Sequence, residues 1–476
     1  MKLAGSLIVV LFGLIVGCAI LFPSPLIIKG FLILAIGIIF ALQRQETFIY
    51  TAIFLAFFSI YLKYLATTSN AVIIGLIVLL FIKAVIEGRS VISKRAIYQN
   101  PAFVPLVLIF SVYFYSFLSV VFQGGPGYEY HYAMFLTIAC VISLFFILVG
   151  FITNRARLFA VLKVLALLLV INLIYALVTL LNPAVGMYGR TLGFSTSGTV
   201  VAGQGLDEAS RLGGLTFFWE AYAEFLMMTV IFLASILVNL DLLVKRRALL
   251  TVIFFISLAE LFLTNTRGSV VLAACGILFV VIFVGQKSLK RRVPVIIALA
   301  ITGVLLFSVL SITGQVRLKE RFSDFSQWKQ TQYGNLPQGR VDVWLPTLDY
   351  VTRRHFVGAG PSFYPLTAYP GGSGILSWPH NLVLIILATV GIPGIVCYMF
   401  LFVKFLLLQN RFHVLTDNNL RVVYGSLWAA LLFFCIEQLK FDELLRAPTS
   451  YAYFIWVLFA IMFSVCNMQE INRDSK

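Results

Sequence analysis

Apolar runs of roughly 20 residues, about fourteen of them, follow one another along this chain and leave it few ways to fold. Their cores lie at 4–22, 26–42, 48–66, 71–87, 102–122, 132–152, 158–181, 218–243, 249–265, 269–285, 294–313, 382–407, 421–439 and 450–467. A run of that length in lipid must satisfy its own backbone N–H and C=O groups, which an α-helix does within one segment. Only 11% of the residues are charged and 61% are hydrophobic, against about 25% charged in a soluble domain. The expected fold class is therefore all-α, a polytopic transmembrane helical bundle of about fourteen spans.

The loops set the orientation. Arg44, Arg89, Lys94, Arg95, Arg155, Arg157, the Lys245–Arg247 triplet, Lys287, Lys290, Arg291, Arg292, Arg411 and Arg421 fall in alternate loops. Those loops are expected in the cytoplasm, with both termini. They carry much of the positive charge behind the net +16, so the basic balance points to anionic lipid and not to nucleic acid. Two longer polar segments then fall outside, 182–217 and 314–380. This divides the chain into helices over 1–313 carrying the first segment, a large outer loop with short helices over 314–380, and terminal helices over 381–476. In the loop, Leu318, Phe322 and Phe325 at helical spacing suggest a short interfacial helix, and 364–379, rich in Pro and Gly, should be irregular.

The six cysteines sit in or beside apolar runs without metal-ligand spacing, as small core residues do. Ile15-Val-Gly-Cys18 has the look of a lipoprotein cleavage box, but its surroundings fit a first span better. No zinc motif, phosphate-binding glycine loop or acidic metal cluster is present, and no metal or other cofactor is expected.

Chemistry has to come from the polar residues of the outer side. Arg211 opens Arg-Leu-Gly-Gly214 before a span; snorkelling to the interface is its plain reading. Arg267, in Leu263-Thr-Asn-Thr-Arg267-Gly268, sits on a tight outer turn against the positive-inside bias, and an ionisable group there suggests function. Arg340 and Asp342 enter the long loop, as a binding pair or a solvated ion pair. Glu220 stands at the start of its span as a candidate partner for an arginine. Glu260 and Glu437 also lie within spans, with no evident role. His380 follows Pro379, a residue favoured in a helix first turn, so the cap is expected at Ser377 or Trp378. The positive helix end would keep His380 neutral and fit for general-base work. Asn381 adjoins it. Trp344 and Trp378 offer aromatic faces to sugars, or simply belong to an interfacial belt.

These pieces, in this order, resemble the bacterial O-antigen polymerase and O-antigen ligase superfamily. Arg211…Gly214…Ala223 resembles its arginine-glycine entry to a central span, and Thr264-Asn-Thr-Arg267-Gly268 its Thr-x-Ser-Arg-Gly turn. Gly339-Arg340…Trp344, then Gly358-Ala-Gly360, resembles its Gly-Arg…Trp…Gly-x-Gly segment. His380-Asn381…Leu384…Gly391-Ile-Pro-Gly394 resembles its His-Asn…Leu…Gly-x-x-Gly ending. The chain departs at Trp219-Glu220, where the family often has Pro-Asn, and at Thr266, where it has Ser. The resemblance implies a GT-C-like, metal-independent, inverting glycosyltransferase of the inner membrane, its active site facing the periplasm. The donor would be a glycan on undecaprenyl pyrophosphate, and the acceptor a second glycan, in a polymerase, or lipid A core, in a ligase. Arg211, Arg267 and His380 would be catalytic. Arg340, Asp342, Glu220, Trp344, Trp378 and Asn381 would bind substrate. A chain-length-regulating co-polymerase and membrane lipids are the implied partners. A lipid-linked sugar transporter is the rival from another class, although transporters usually carry repeats that this chain lacks.

Overall fold

The computed structural model describes residues 44–57, 69–88, 90–123, 127–182, 212–215, 219–239, 244–284, 328–331, 334–337, 341–367, 375–412, 417–440 and 450–474, and a few isolated positions. The expected spans at 4–22 and 26–42, more than half of 294–313, and the interfacial helix around Leu318 lie outside these. The fold is all-α, with one two-stranded hairpin. Its helices are α1 (Gln45–Phe57), α2 (Ser69–Ile86), α3 (Lys94–Tyr98), α4 (Phe103–Gln123), α5 (Tyr128–Phe151), α6 (Arg155–Leu181), α7 (Trp219–Asn239), α8 (Val244–Leu263) and α9 (Arg267–Phe279, drawn out by a π turn to Val284). After the antiparallel strands β1 (Trp328–Thr331) and β2 (Gly334–Pro337) come α10 (Val341–Arg353), α11 (Leu382–Thr389), α12 (Gly391–Leu407), α13 (Gln409–Phe412), α14 (Asn418–Glu437) and α15 (Ser450–Asp474).

Among the described residues, 7 helices are long and apolar enough to cross a membrane: α4, α5, α6, α7, α9 with its π turn, α12 continued to Arg411, and α14. Shorter apolar helices cover Ile73–Ile86 and Tyr451–Cys466. This is a multi-pass membrane protein; the described helices do not reach the expected fourteen.

The chain forms two compact units. The first joins residues 1–100, 136–168 and 448–471. Buried Asn70 holds it together, donating to Thr137 Oγ1 at 3.0 Å and accepting from the Tyr453 hydroxyl. At one end of this unit Arg157 donates to the Val91 and Phe151 carbonyls and pairs with Glu46. Three loops assigned by their basic residues to one side of the membrane thus meet on one guanidinium.

The second unit joins residues 101–135, 169–447 and 472–476. Its centre is α7, buried along nearly its whole length against α8, α9 and α14. Small residues permit the close packing that drives association in lipid. Ser426 Oγ donates to Ser235 Oγ at 2.7 Å between α14 and α7. Gly276 of α9 leaves room for Ile231 of α7, whose Cγ1 would lie 2.6 Å from an added Cβ.

The expected span 382–407 is broken in two. Val390 ends α11, and Gly391 opens α12 in the left-handed region at φ 75. The segment Gly358-Ala-Gly360 lies across the break. The Ala359 and Gly360 amides donate to the Ala388 and Thr389 carbonyls at 2.9 and 3.0 Å, and Ile392 N returns a bond to Phe356 O at 3.3 Å. The carbonyls that a helix end leaves open are thereby satisfied without water. A Cβ on Gly358 would run into the Thr389 carbonyl, and one on Gly391 would lie 2.5 Å from Phe356 O. The two glycine motifs, read separately from the sequence, are mates in one clasp.

Gly358→Ala should therefore lower the melting temperature of the detergent-purified protein, because backbone and not a movable side chain blocks the new methyl. Gly75→Ala, which meets nothing within 4 Å, should leave it unchanged. Equal melting temperatures for the two variants would mean that the clasp is not a tight contact.

Candidate active site at one end of the second unit

Four chain segments converge where α7, α9 and α11 begin and α14 ends. The turn before α9 is a knuckle. Thr264 Oγ1 donates to Leu261 O at 2.7 Å, Thr266 N donates to Thr264 Oγ1 at 3.3 Å, and Asn265 is left-handed at φ 53. Thr266 is the N-cap of α9 and offers no side-chain cap bond, so Arg267 is the first helical residue. The positive end of a helix disfavours a cation by about 0.3–1 kcal/mol at an exposed site. Arg267, half-buried there, is not placed for the helix's benefit.

His380 stands on a second knuckle. The cap of α11 is Asn381, whose Oδ1 accepts from Leu384 N at 3.1 Å, and not Ser377 or Trp378 as the sequence suggested. Asparagine is among the best caps, and it outcompetes the proline signal two residues earlier. His380 thus sits one residue outside the helix, in the left-handed region at φ 47, a conformation that needs support from its surroundings. Both neighbours supply it. Trp344 Nε1 donates to Pro379 O at 2.7 Å, and Asn381 Nδ2 donates to Leu439 O at 2.6 Å.

The end of α14 ties the two knuckles together. Leu382 N donates to Gln438 O at 3.0 Å, beside the Asn381–Leu439 bond. Glu437 Oε1 accepts from Ser269 Oγ, in the first turn of α9, at 3.1 Å and lies 3.8 Å from Lys440 Nζ. Gln438 Nε2 donates to Glu224 Oε1 of α7 at 3.1 Å. A carboxylate is disfavoured at the C-terminus of its own helix, α14, but favoured at the N-terminus of α9, which is the end that Glu437 serves. Gly268 makes this approach possible: a Cβ there would lie 2.8 Å from Glu437 Oε1 and collide with Lys440 Nζ.

The loop after Arg211 docks against the same turn. Leu212 N donates to Leu263 O at 3.2 Å, and Leu215 N donates to Asn172 Oδ1 at 2.7 Å. Gly214, at φ 40, lies against the Tyr222 ring, whose hydroxyl donates to buried Glu260.

Of the expected site residues, Arg267, His380, Asn381 and Trp344 are therefore brought into one network. Glu220 stands in the first turn of α7, and Asp342 in that of α10. Trp378 packs edge-on to Phe363 and Tyr364, with ring centroids at 5.3 and 5.2 Å. Arg211 and Arg340 lie outside the described residues. The sequence reading passed over Gln438 and Lys440 and found no role for Glu437; a polar Glu-Gln pair closing an apolar run was the available signal.

Asn381→Asp tests whether the tie to α14 matters beyond the cap. Aspartate caps as well as asparagine but cannot donate to Leu439 O. Its melting temperature should fall at least as far as that of Asn381→Ala, for which the lost cap alone costs about 1 kcal/mol. A wild-type value for the aspartate variant would make the cap the whole of the residue's role.

Residues 252–399 match the O-antigen ligase family model. The matched segment, just under a third of the chain, includes Arg267, Trp344, the glycine clasp, His380 and Asn381, and stops short of Glu437–Lys440. Over that segment the chain is similar to the O-antigen ligase family, which supports the resemblance to the O-antigen polymerase and ligase superfamily. No curated protein matches the chain.

Proposed function

We propose that this protein acts as a member of that superfamily, a glycosyltransferase that moves a glycan from undecaprenyl pyrophosphate onto an acceptor hydroxyl at the periplasmic face of the inner membrane. One observation carries the reading: the turn of Arg267 and the knuckle of His380, more than a hundred residues apart, are fastened to the same four residues, Glu437–Lys440. A cation and a base held at one helix-bundle end suit a donor with an anionic leaving group and an acceptor with a proton to lose.

In the proposed reaction the acceptor oxygen attacks the anomeric carbon and the bond from that carbon to the pyrophosphate oxygen breaks, with inversion. His380 takes the hydroxyl proton. Negative charge grows on the departing pyrophosphate, and the Arg267 guanidinium, with Arg211, stabilises it; a planar fork suits two phosphate oxygens. Arg340, Asp342, Glu220 and Trp378 remain assigned to substrate. Trp344 and Asn381, whose donors are committed to backbone carbonyls, are assigned to holding His380 in place. The carrier's lipid tail stays between spans, and the reaction draws on no metal.

Arg267→Ala, Arg211→Ala and His380→Ala should each lower transfer by roughly 10²-fold or more while the protein stays in the membrane. Arg267→Lys should recover little, and EDTA should not inhibit the purified enzyme. Full transfer by His380→Ala would remove the base; dependence on a divalent ion would remove the metal-free chemistry.

Within this chemistry we assign polymerisation of lipid-linked repeat units, because the two polar segments 182–217 and 314–380 suit two carrier-linked glycans. A ligase using lipid A core is the second reading, favoured by the description of the matching family. A deletion strain separates them. Loss of a polymerase should leave single repeat units capped onto core. Bare core, with long polymer stranded on the carrier, would decide for the ligase, and accumulation of unflipped precursor would favour a transporter.

A further inference from the structure

Lys440 belongs to none of the motifs that led to the site. It follows α14 on the side assigned to the periplasm, where a basic residue runs against the positive-inside bias as Arg267 does. Its ammonium is placed by two contacts. Glu437 Oε1, almost fully buried, lies 3.8 Å away, while the lysine side chain is 38% exposed. On the other side Nζ presses on the backbone of Gly268, the residue next to Arg267, so closely that a Cβ at Gly268 would strike it. The ammonium is thus held beside the first turn of α9 and keeps a face to solvent. Glu437 also accepts from Ser269 of that turn, so one carboxylate fixes both the lysine and the helix that presents the arginine.

We infer that Lys440 is a second cation for the diphosphate of the lipid-linked donor, held by Glu437 next to Arg267. The inference rests on the proposed function and adds the residue that shares the leaving group's charge. A diphosphate spreads its charge over two phosphates. A guanidinium fork can take oxygens of one, while a compact ammonium at the neighbouring backbone position reaches the other. Gly268 is then required because any side chain there would displace the ammonium, and Glu437 is a positioning residue acting through Lys440 and Ser269.

The full-length protein in detergent, titrated with undecaprenyl pyrophosphate, tests this. Lys440→Gln should weaken binding about tenfold or more, the usual worth of a charge-assisted contact, with an unchanged melting temperature. Lys440→Arg should restore most of the affinity. Gly268→Ala supplies a second route, since its methyl must push the ammonium aside, and it should weaken binding to a similar degree. Rising salt should weaken binding by the wild type more steeply than by Lys440→Gln. Wild-type affinity in Lys440→Gln and Gly268→Ala, with weakened binding in Arg267→Ala, would overturn the inference and leave the proposed function standing. Undiminished binding in Arg267→Ala as well would remove the pyrophosphate reading itself.

Discussion

Two carbonyls at the end of α14, Gln438 O and Leu439 O, organise the second unit's active end. A helix leaves its last carbonyls without partners in its own ladder, and burying such a group unsatisfied costs several kcal/mol where no water reaches. Leu382 N and the Asn381 side chain satisfy both. The bond that meets α14's need is therefore also the bond that fixes where α11 starts. With the start of α11 fixed, and with Trp344 holding Pro379 O from the opposite side, the position of His380 between them follows.

The same economy appears at the break between α11 and α12. Open carbonyls at Ala388 and Thr389 are met by a strap that brings α10 and the loop after it onto the bundle. The polar segment therefore gains its hold on the membrane helices by completing their unfinished hydrogen bonding. The apolar cluster of Val351, Phe363, Leu366, Leu376, Ile385 and Ala388 fills the space beneath. Polar connections position this layer, and apolar burial stabilises it.

Among the described residues, hydropathy placed several spans to within a few residues. The expected 102–122 is helix 103–123, and 158–181 is 155–181. The turn at 264–266 was legible as well, because a lone arginine interrupts two apolar runs. Hydropathy cannot report a break that costs no polarity. The run through Thr389, Val390 and Gly391 stays apolar while the helix ends, and only the Gly-Ile-Pro-Gly signature marked it. Local pattern offered only a polar Glu-Gln pair at the end of an apolar run for Gln438, and nothing for Lys440. Their importance comes from partners at Glu224, Asn381, Leu382 and Gly268, far away in sequence, and a single chain displays no such pairing. The start of the helix after His380 was not legible either, because Pro379 offers a first-turn signal while Asn381 both caps and donates.

Arg267 opens α9 and the Lys440 ammonium lies beside the next residue, Gly268, and cations brought that near repel one another. Three of the acids described at this end are buried, one on each of three helices: Glu224, Glu260 and Glu437, with exposures of 0%, 0% and 1%. Each accepts from an uncharged donor, the Gln438 amide, the Tyr222 phenol and the Ser269 hydroxyl respectively. Glu437 also pairs with Lys440 at 3.8 Å, so its charge offsets the cations beside it. Burial keeps Glu437 away from the substrate of the proposed reaction, where it would oppose an anion. For the proposed reaction, Arg267 and Lys440 with Glu437 buried behind them would supply a field fixed before the substrate binds, with no reorganisation as negative charge develops on the leaving group.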